Sequence, residues 1–219
     1  GIDDKTVNFS DGEKKEFDAV LIAVGRAPLT ENIGLDKVNI ASENGFINVD
    51  LDTFQTSVAN IFALGDIVNN TPQLAHAAFA EAISAITYIA SGEKKPLDYK
   101  AIPYVVYTRP ELAEIGLNAE KAKLENIEIE QSQHSFAGVG RAMITEQNQG
   151  LVKVYAEKEG PIVGASVCGP SAGEMIHEIM YMVGWEALPE EAAEFIHAHP
   201  TLSEAVGESL LGLTGKGLH

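Results

Sequence analysis

Between Ser91 and Tyr99 the sequence changes its period, and this change splits the chain into two bodies of different kind. Before it, residues 73–91 form one long helical pattern with alanines at 77, 78, 82 and 85, preceded by short apolar strands. After it, short runs that alternate or are wholly apolar predominate, separated by turns. The stretch Ser91-Gly92-Glu93-Lys94-Lys95-Pro96-Leu97-Asp98-Tyr99 combines glycine, charge and proline after a helix, as domain boundaries do. The expectation is an α/β portion over residues 1–98 and an α+β domain with an antiparallel sheet over residues 99–219.

In the first portion, residues 6–9 and 18–23 are expected as strands around an Asp11-Gly12 turn, the second apolar enough to be buried. That run leads into Val24-Gly25-Arg26-Ala27-Pro28. Glycine at a strand's carboxyl end lets a ligand approach the backbone, and open α/β sheets bind ligands at that end. Taken alone, Gly-Arg-x-Pro could equally punctuate a loop. Residues 45–50 read as a further strand, and the apolar run up to Leu64 reads as a strand ending in Gly65-Asp66, which places a carboxylate within reach of sugar hydroxyls. Gln73-Leu74-Ala75-His76 opens the long helix, whose first-turn amides favour negative charge.

In the second portion, strands are expected at 104–107, 141–145, 151–156 and 162–168, and helices at 118–124, 172–183, 189–196 and 202–211. Met175, Ile176, Ile179, Met180 and Val183 form one apolar helical face, read as core with a share turned to a dimer partner. Cys168 reads as a buried small hydrophobe rather than a thiolate nucleophile. His134 and His177 carry no assigned chemistry.

Charge narrows the partners. With 32 acidic residues against 15 Lys and Arg, the formal charge of -17 argues against nucleic acid and anionic membrane. A lone cysteine excludes an internal disulfide and agrees with a reducing compartment. No apolar run approaches the roughly 20 residues of a membrane span, and Gly1-Ile2-Asp3-Asp4-Lys5 lacks the order of a signal peptide. The expected location is cytoplasmic, or the mitochondrial matrix in a eukaryote. Because the chain starts at Gly1 rather than methionine, it reads as the second half of a longer protein.

The densest chemistry lies in Ile196-His197-Ala198-His199-Pro200-Thr201-Leu202-Ser203-Glu204. Pro200 disfavours helical backbone at His199, so the chain should turn there and present the imidazole from a fixed place. Thr201 as N-cap and Glu204 at the third helical position would make a capping box. Two readings of Glu204 remain open: it caps its own helix, or it accepts the Nδ1 proton of His199 and leaves Nε2 to act as a base. A metal role for His197 and His199 is disfavoured, since there is one cysteine and no second histidine cluster.

His197-Ala198-His199-Pro200-Thr201-Leu202-Ser203-Glu204 resembles the carboxy-terminal signature of the flavoprotein disulfide reductases of dihydrolipoamide dehydrogenase type. The resemblance implies that His199 is the acid/base, that Glu204 orients it, and that the pair reaches across a homodimer interface to the partner's flavin and redox disulfide. Gly25-Arg26-x-Pro28 resembles the segment in which the glycine lies beside the nicotinamide dinucleotide, with Leu29 departing from the family's usual polar residue. Thr56 through Ile61-Phe62-Ala63-x-Gly65-Asp66 resembles the second flavin-binding motif, which implies that Asp66 holds the ribityl chain of FAD. The same resemblance lays Gln73, Leu74, Ala75 and His76 against the flavin ring, with His76 presenting backbone rather than acting as a second base. Thr108-x-Pro110-Glu111 and the stretch from Gly164 to Ile176 resemble the family's interface domain.

Implied cofactors are FAD and NAD, and the implied partner is the lipoyl group of a 2-oxoacid dehydrogenase complex. Residues 1–98 would then be the end of the NAD-binding domain and the carboxy-terminal part of the FAD-binding and central domain; residues 99–219 would be the interface domain. The glycine-rich dinucleotide fingerprint and the closely spaced cysteine pair of such reductases are missing from this sequence. The chain alone is therefore expected to oxidise no lipoamide and to hold little or no FAD. A related reductase acting on glutathione or mercuric ion, and a non-catalytic dimerisation module, remain as alternatives.

Overall fold

The computed structural model describes residues 1–217, so the last two residues of the expected 99–219 domain lie outside it. The chain divides into two compact units, Gly1–Lys95 and a second from Pro96 onward.

The first unit opens with a three-stranded antiparallel sheet, β1 (Ile2–Asp3), β2 (Thr6–Asn8) and β3 (Lys14–Glu16), in that order. The hairpin after β2 pairs with Lys14–Glu16, whereas residues 18–23 form no strand. That expectation was wrong. Leu21 is 91% exposed and Val24 is 93% exposed. An apolar run becomes a buried strand only when neighbours complete its ladder and cover its faces, and no described strand pairs with this one.

The strand expected before Gly65-Asp66 is also absent. Phe62 makes a single bridge to Gln55, and Gly65–Ile67 is a turn of 3-10 helix. Thr56 Oγ1 donates to the Ile61 carbonyl at 2.9 Å, closing a local loop. Residues 45–50 shorten to β5 (Phe46–Ile47), paired with β4 (Ser42–Glu43). A small core of Ile40, Ile47, Ala63 and Val68 lies under these connections.

Helix α1 (Ala75–Ser91) buries Ala77, Glu81, Ser84 and Ala85, the residues that a 3.6-residue period puts on one face. Gly92 at φ 74 ends it, its N–H bonded to the Tyr88 carbonyl, a left-handed cap that favours glycine.

The second unit is built on a five-stranded antiparallel sheet. Its strands are β6 (Tyr104–Val106), β7 (Glu111–Gly116), β8 (Ile129–Ser135), β9 (Leu151–Glu157) and β10 (Ile162–Gly169), in the order β6-β7-β10-β9-β8. Helices α2 (Ala119–Glu125) and α3 (Gly140–Ile144) lie in the connections; α4 (Ala172–Gly184), α5 (Pro189–Ala192) and α6 (Glu204–Leu213) follow β10. Helix α4 packs on β7 and β10, and α6 packs on β8 and β9. Between sheet and helices lies the main core: Ile115, Val152, Val154 and Val167 from strands, Ile176 and Ile179 from α4, Val206 and Leu210 from α6.

The strand period explains one misreading. Ala165 and Val167 of β10 face this core, so Ser166 and Cys168 point to the opposite face, and Cys168 is half-buried rather than buried. Residues 141–145, expected as a strand, are helical: Val139 and Ala142 are buried three residues apart, and the Thr145 N–H bonds the Arg141 carbonyl. The helix expected over 189–196 stops at Ala192, the one residue of α5 that is buried, while Ile196 is 98% exposed. A longer helix there would gain no burial. Among the described residues no helix is long and apolar enough to cross a membrane.

Candidate active site

His199 stands within the irregular segment between α5 and α6, its side chain 77% exposed. Its Nδ1 lies 2.8 Å from Glu204 Oε1. The other carboxylate oxygen, Oε2, accepts the Thr201 N–H at 2.9 Å. The contact between Glu204 and the His199 ring holds, and the second oxygen binds the backbone of the preceding turn. The expected N-cap does not: α6 starts at Glu204 with Ser203 before it, and Thr201 Oγ1 donates to the Ala198 carbonyl at 2.7 Å. Thr201 tightens the turn around His199 instead of capping the helix.

This arrangement selects a tautomer. An ionised carboxylate only accepts, so Nδ1 is the nitrogen that carries a proton, and in the neutral ring the lone pair falls on Nε2. Partial burial pushes the Glu204 carboxyl up, but the Thr201 N–H and the His199 ring outweigh it and hold the pKa below the ordinary glutamate value. The stability this contributes is present above the ordinary glutamate pKa and is lost as pH falls through the lowered one. The position of Glu204 in the first turn of α6 favours the charged form as well. Gly140, the first residue of α3, lies beside the ring: a Cβ there would stand 3.8 Å from His199 Cε1.

His197 turns the other way, with Nε2 2.6 Å from Glu178 Oε1 on α4. The two imidazoles thus face different carboxylates. Among the described residues no cluster of three His, Cys, Asp or Glu side chains is placed to hold a metal.

In the first unit, Gln73 is the hub. Its Nε2 donates to the Asp66 carbonyl at 3.2 Å, and its own carbonyl accepts from Arg26 Nη2 at 2.6 Å. Asp66, Gln73 and Arg26, the residue after Gly25, are so brought together. The buried Glu81 of α1 accepts the Gly65 N–H at 2.6 Å and anchors the turn that presents the exposed Asp66 carboxylate. Leu74 precedes α1; Ala75 and His76 are its first residues, with no side-chain cap and no acid in the first turn. Gly25, at φ 147, has nothing within 4 Å of where a Cβ would stand. Arg26, Glu81 and Glu178 were not singled out from the sequence. Only Arg26 left a signal, inside Gly-Arg-x-Pro.

Residues 102–210 match the model of the pyridine nucleotide-disulphide oxidoreductase dimerisation domain, and residues 1–82 match that of pyridine nucleotide-disulphide oxidoreductase. The chain belongs to this family. Dihydrolipoyl dehydrogenase of Haloferax volcanii is 38% identical over 218 residues, 98% of this chain and 46% of that protein. Dihydrolipoyl dehydrogenase of Bacillus subtilis is 36% identical over 212 residues, 95% of this chain and 44% of that protein. Among solved structures, LpdA from Mycobacterium tuberculosis superposes with a TM-score of 0.84 at 27% identity, covering 95% of this chain and 45% of that one. The HOCl-induced flavoprotein disulfide reductase RclA from Escherichia coli gives 0.83 at 25% identity, covering 92% of this chain and 47% of that one. The chain spans less than half the length of these relatives. As a pyridine nucleotide-disulphide oxidoreductase chain, it carries the His199–Glu204 pair within the residues matched to the dimerisation domain, and Gly25, Asp66 and Gln73 within the other match.

Proposed function

We propose that these residues supply the acid/base pair and the dimer interface of a dihydrolipoamide dehydrogenase, which oxidises dihydrolipoamide through a redox disulfide and FAD and reduces NAD+. One observation carries the reading: His199 is held through Nδ1 by Glu204 at 2.8 Å, on a side chain that is 77% exposed. A thiol with a pKa of ~8.5 is mostly protonated at neutral pH, and only the thiolate attacks a disulfide sulfur. His199 Nε2 takes the substrate thiol's proton, and Glu204 balances the charge on the resulting imidazolium. The thiolate then forms a mixed disulfide with one sulfur and releases the other.

The cofactor-facing residues fit their groups. Asp66 offers an exposed carboxylate to the ribityl hydroxyls of FAD; the uncapped start of α1, with Gln73, Leu74, Ala75 and His76, favours electron density in a flavin ring; Gly25 leaves its backbone open to a nicotinamide dinucleotide. The chemistry supplied by FAD, when bound, is two-electron transfer between dithiol and NAD. Residues 1–98 form the end of the NAD-binding domain and the carboxy-terminal part of the FAD-binding and central domain in this reading, and residues 99–219 form the interface domain. The homodimer is supported by the dimerisation-domain match and by exposed apolar side chains of that domain, among them Tyr181, Trp185, Phe195 and Ile196. One cysteine suits a reducing compartment, the cytoplasm or, in a eukaryote, the mitochondrial matrix.

A redox disulfide needs two cysteines, and this sequence has one. The 219 residues alone are thus expected to oxidise no dihydrolipoamide and to show no stoichiometric flavin absorbance after incubation with FAD; a full visible spectrum that survives desalting would contradict this. The Glu204→Gln exchange, made in a full-length reductase carrying these residues, tests the pair. An amide oxygen can still accept the Thr201 N–H but cannot balance an imidazolium. Turnover is expected to fall about 10- to 100-fold, the size of effect seen when an orienting partner is lost, with little change in melting temperature. Unchanged turnover would leave the bond to the Thr201 N–H as the only role of Glu204.

A further inference from the structure

The segment that carries His199 is tied down from two helices. Glu204 holds it to α6; the second tie is His197, two residues upstream. Its Nε2 is 2.6 Å from Glu178 Oε1 on α4, and its side chain is only 14% exposed. The ring also presses on α6. A Cβ at Gly207 would stand 2.6 Å from His197 Nδ1, 3.0 Å from Cε1 and 3.2 Å from Cγ, so the imidazole fills the space that any other residue's side chain would need. Gly207 lies three residues after Glu204, one helical turn along the same face. The two histidines are therefore seated one turn apart on α6.

We propose that His197, pinned between the Glu178 carboxylate on α4 and the bare backbone of Gly207 on α6, is a positioning residue that fixes where His199 meets Glu204. This rests on the reading of His199 and Glu204 as acid/base and orienting partner. Residues 197 to 201 have no regular secondary structure to hold them, so a residue wedged on one side and hydrogen-bonded on the other supplies the missing constraint. Charge acts in the same sense. The hydrogen bond that His197 donates to Glu178 raises the His197 pKa, against the opposing effect of burial; the charges of Glu178 and Glu204 and the Phe195 carbonyl add to it. A positive His197 in turn helps keep Glu204 ionised. The stability gained from the pair is present below the ordinary histidine pKa and is lost as pH rises through the raised value.

The test reads the imidazoles of the 219-residue chain directly, by nitrogen–proton NMR across a pH series, for the unaltered protein and the E178Q, G207A and E204Q variants, each checked for fold by circular dichroism. E178Q should lower the His197 titration midpoint, and at neutral pH the fraction of His199 protonated on Nδ1 should fall at least ~2-fold, although neither His199 nor Glu204 is altered. G207A, which keeps both carboxylates and displaces the ring with a methyl group, should change His199 in the same direction. If E204Q changes the His199 tautomer while folded E178Q and G207A leave it untouched, His197 is only a packing residue and the proposal fails, with the reading of the His199–Glu204 pair intact. Should E204Q also leave it untouched, that reading falls, and the proposal with it.

Discussion

With His199 as the proposed base, replacing it by Gln in a full-length reductase that carries these residues is expected to lower dihydrolipoamide oxidation by about 10²–10⁴-fold, the usual worth of a positioned general base. The amide is close in size to the imidazole but cannot pick up a proton near neutral pH, so the substrate thiol must ionise without help. Stability should hardly respond. The ring is 77% exposed, and Glu204 keeps its bond from the Thr201 N–H when the ring is gone. Exposed substitutions of this kind usually stay within about 0.5 kcal/mol. Steady-state turnover beside a melting curve measures both effects. A large rate loss at unchanged melting temperature is the expected pair of results; retained turnover would place the base elsewhere.

The largest loss of stability should follow Phe136→Ala. Phe136 is fully buried in the main core, and its ring lies directly over Gly169 at the end of β10, where any side chain would overlap it. Truncating such a phenylalanine costs about 3–5 kcal/mol, out of the roughly 5–15 kcal/mol that holds a domain together. For a body of this size that is a fall in melting temperature on the order of 15 °C, read by calorimetry. The damage should also reach the site. Phe136–Gly138 is the turn that leads into α3, and the first residue of α3, Gly140, stands beside the His199 ring. A melting temperature within a few degrees of the unaltered protein would show that the core closes around the gap.

Some elements could be read because their signal is local. β9 and β10 carry strand-like runs of the right length, α2 starts at an asparagine that caps it by accepting from the Glu120 and Lys121 N–H groups, and α4 shows its buried stripe of Met175, Ile176 and Ile179. Others had no local signal. β8 reads Ile-Glu-Gln-Ser-Gln-His-Ser, too polar to suggest a strand, and exists because it can pair along β9 at the edge of the sheet and receive α6. The opposite error, at residues 18–23, has the same cause: strong strand propensity without a paired neighbour yields exposed chain.

The site divides along the same line. An imidazole, a proline and an acid five residues later are close in any fold that turns at Pro200, so the meeting of His199 with Glu204 was written into the order of residues. That His197 finds Glu178, nineteen positions back, and a glycine on α6, was decided only when two helices packed side by side on one sheet. The same holds for Arg26 reaching the Gln73 carbonyl across 47 positions. Contacts within one turn depend on backbone geometry that neighbouring residues impose directly; contacts between distant elements depend on which apolar faces are buried against each other, and no short stretch of chain carries that information.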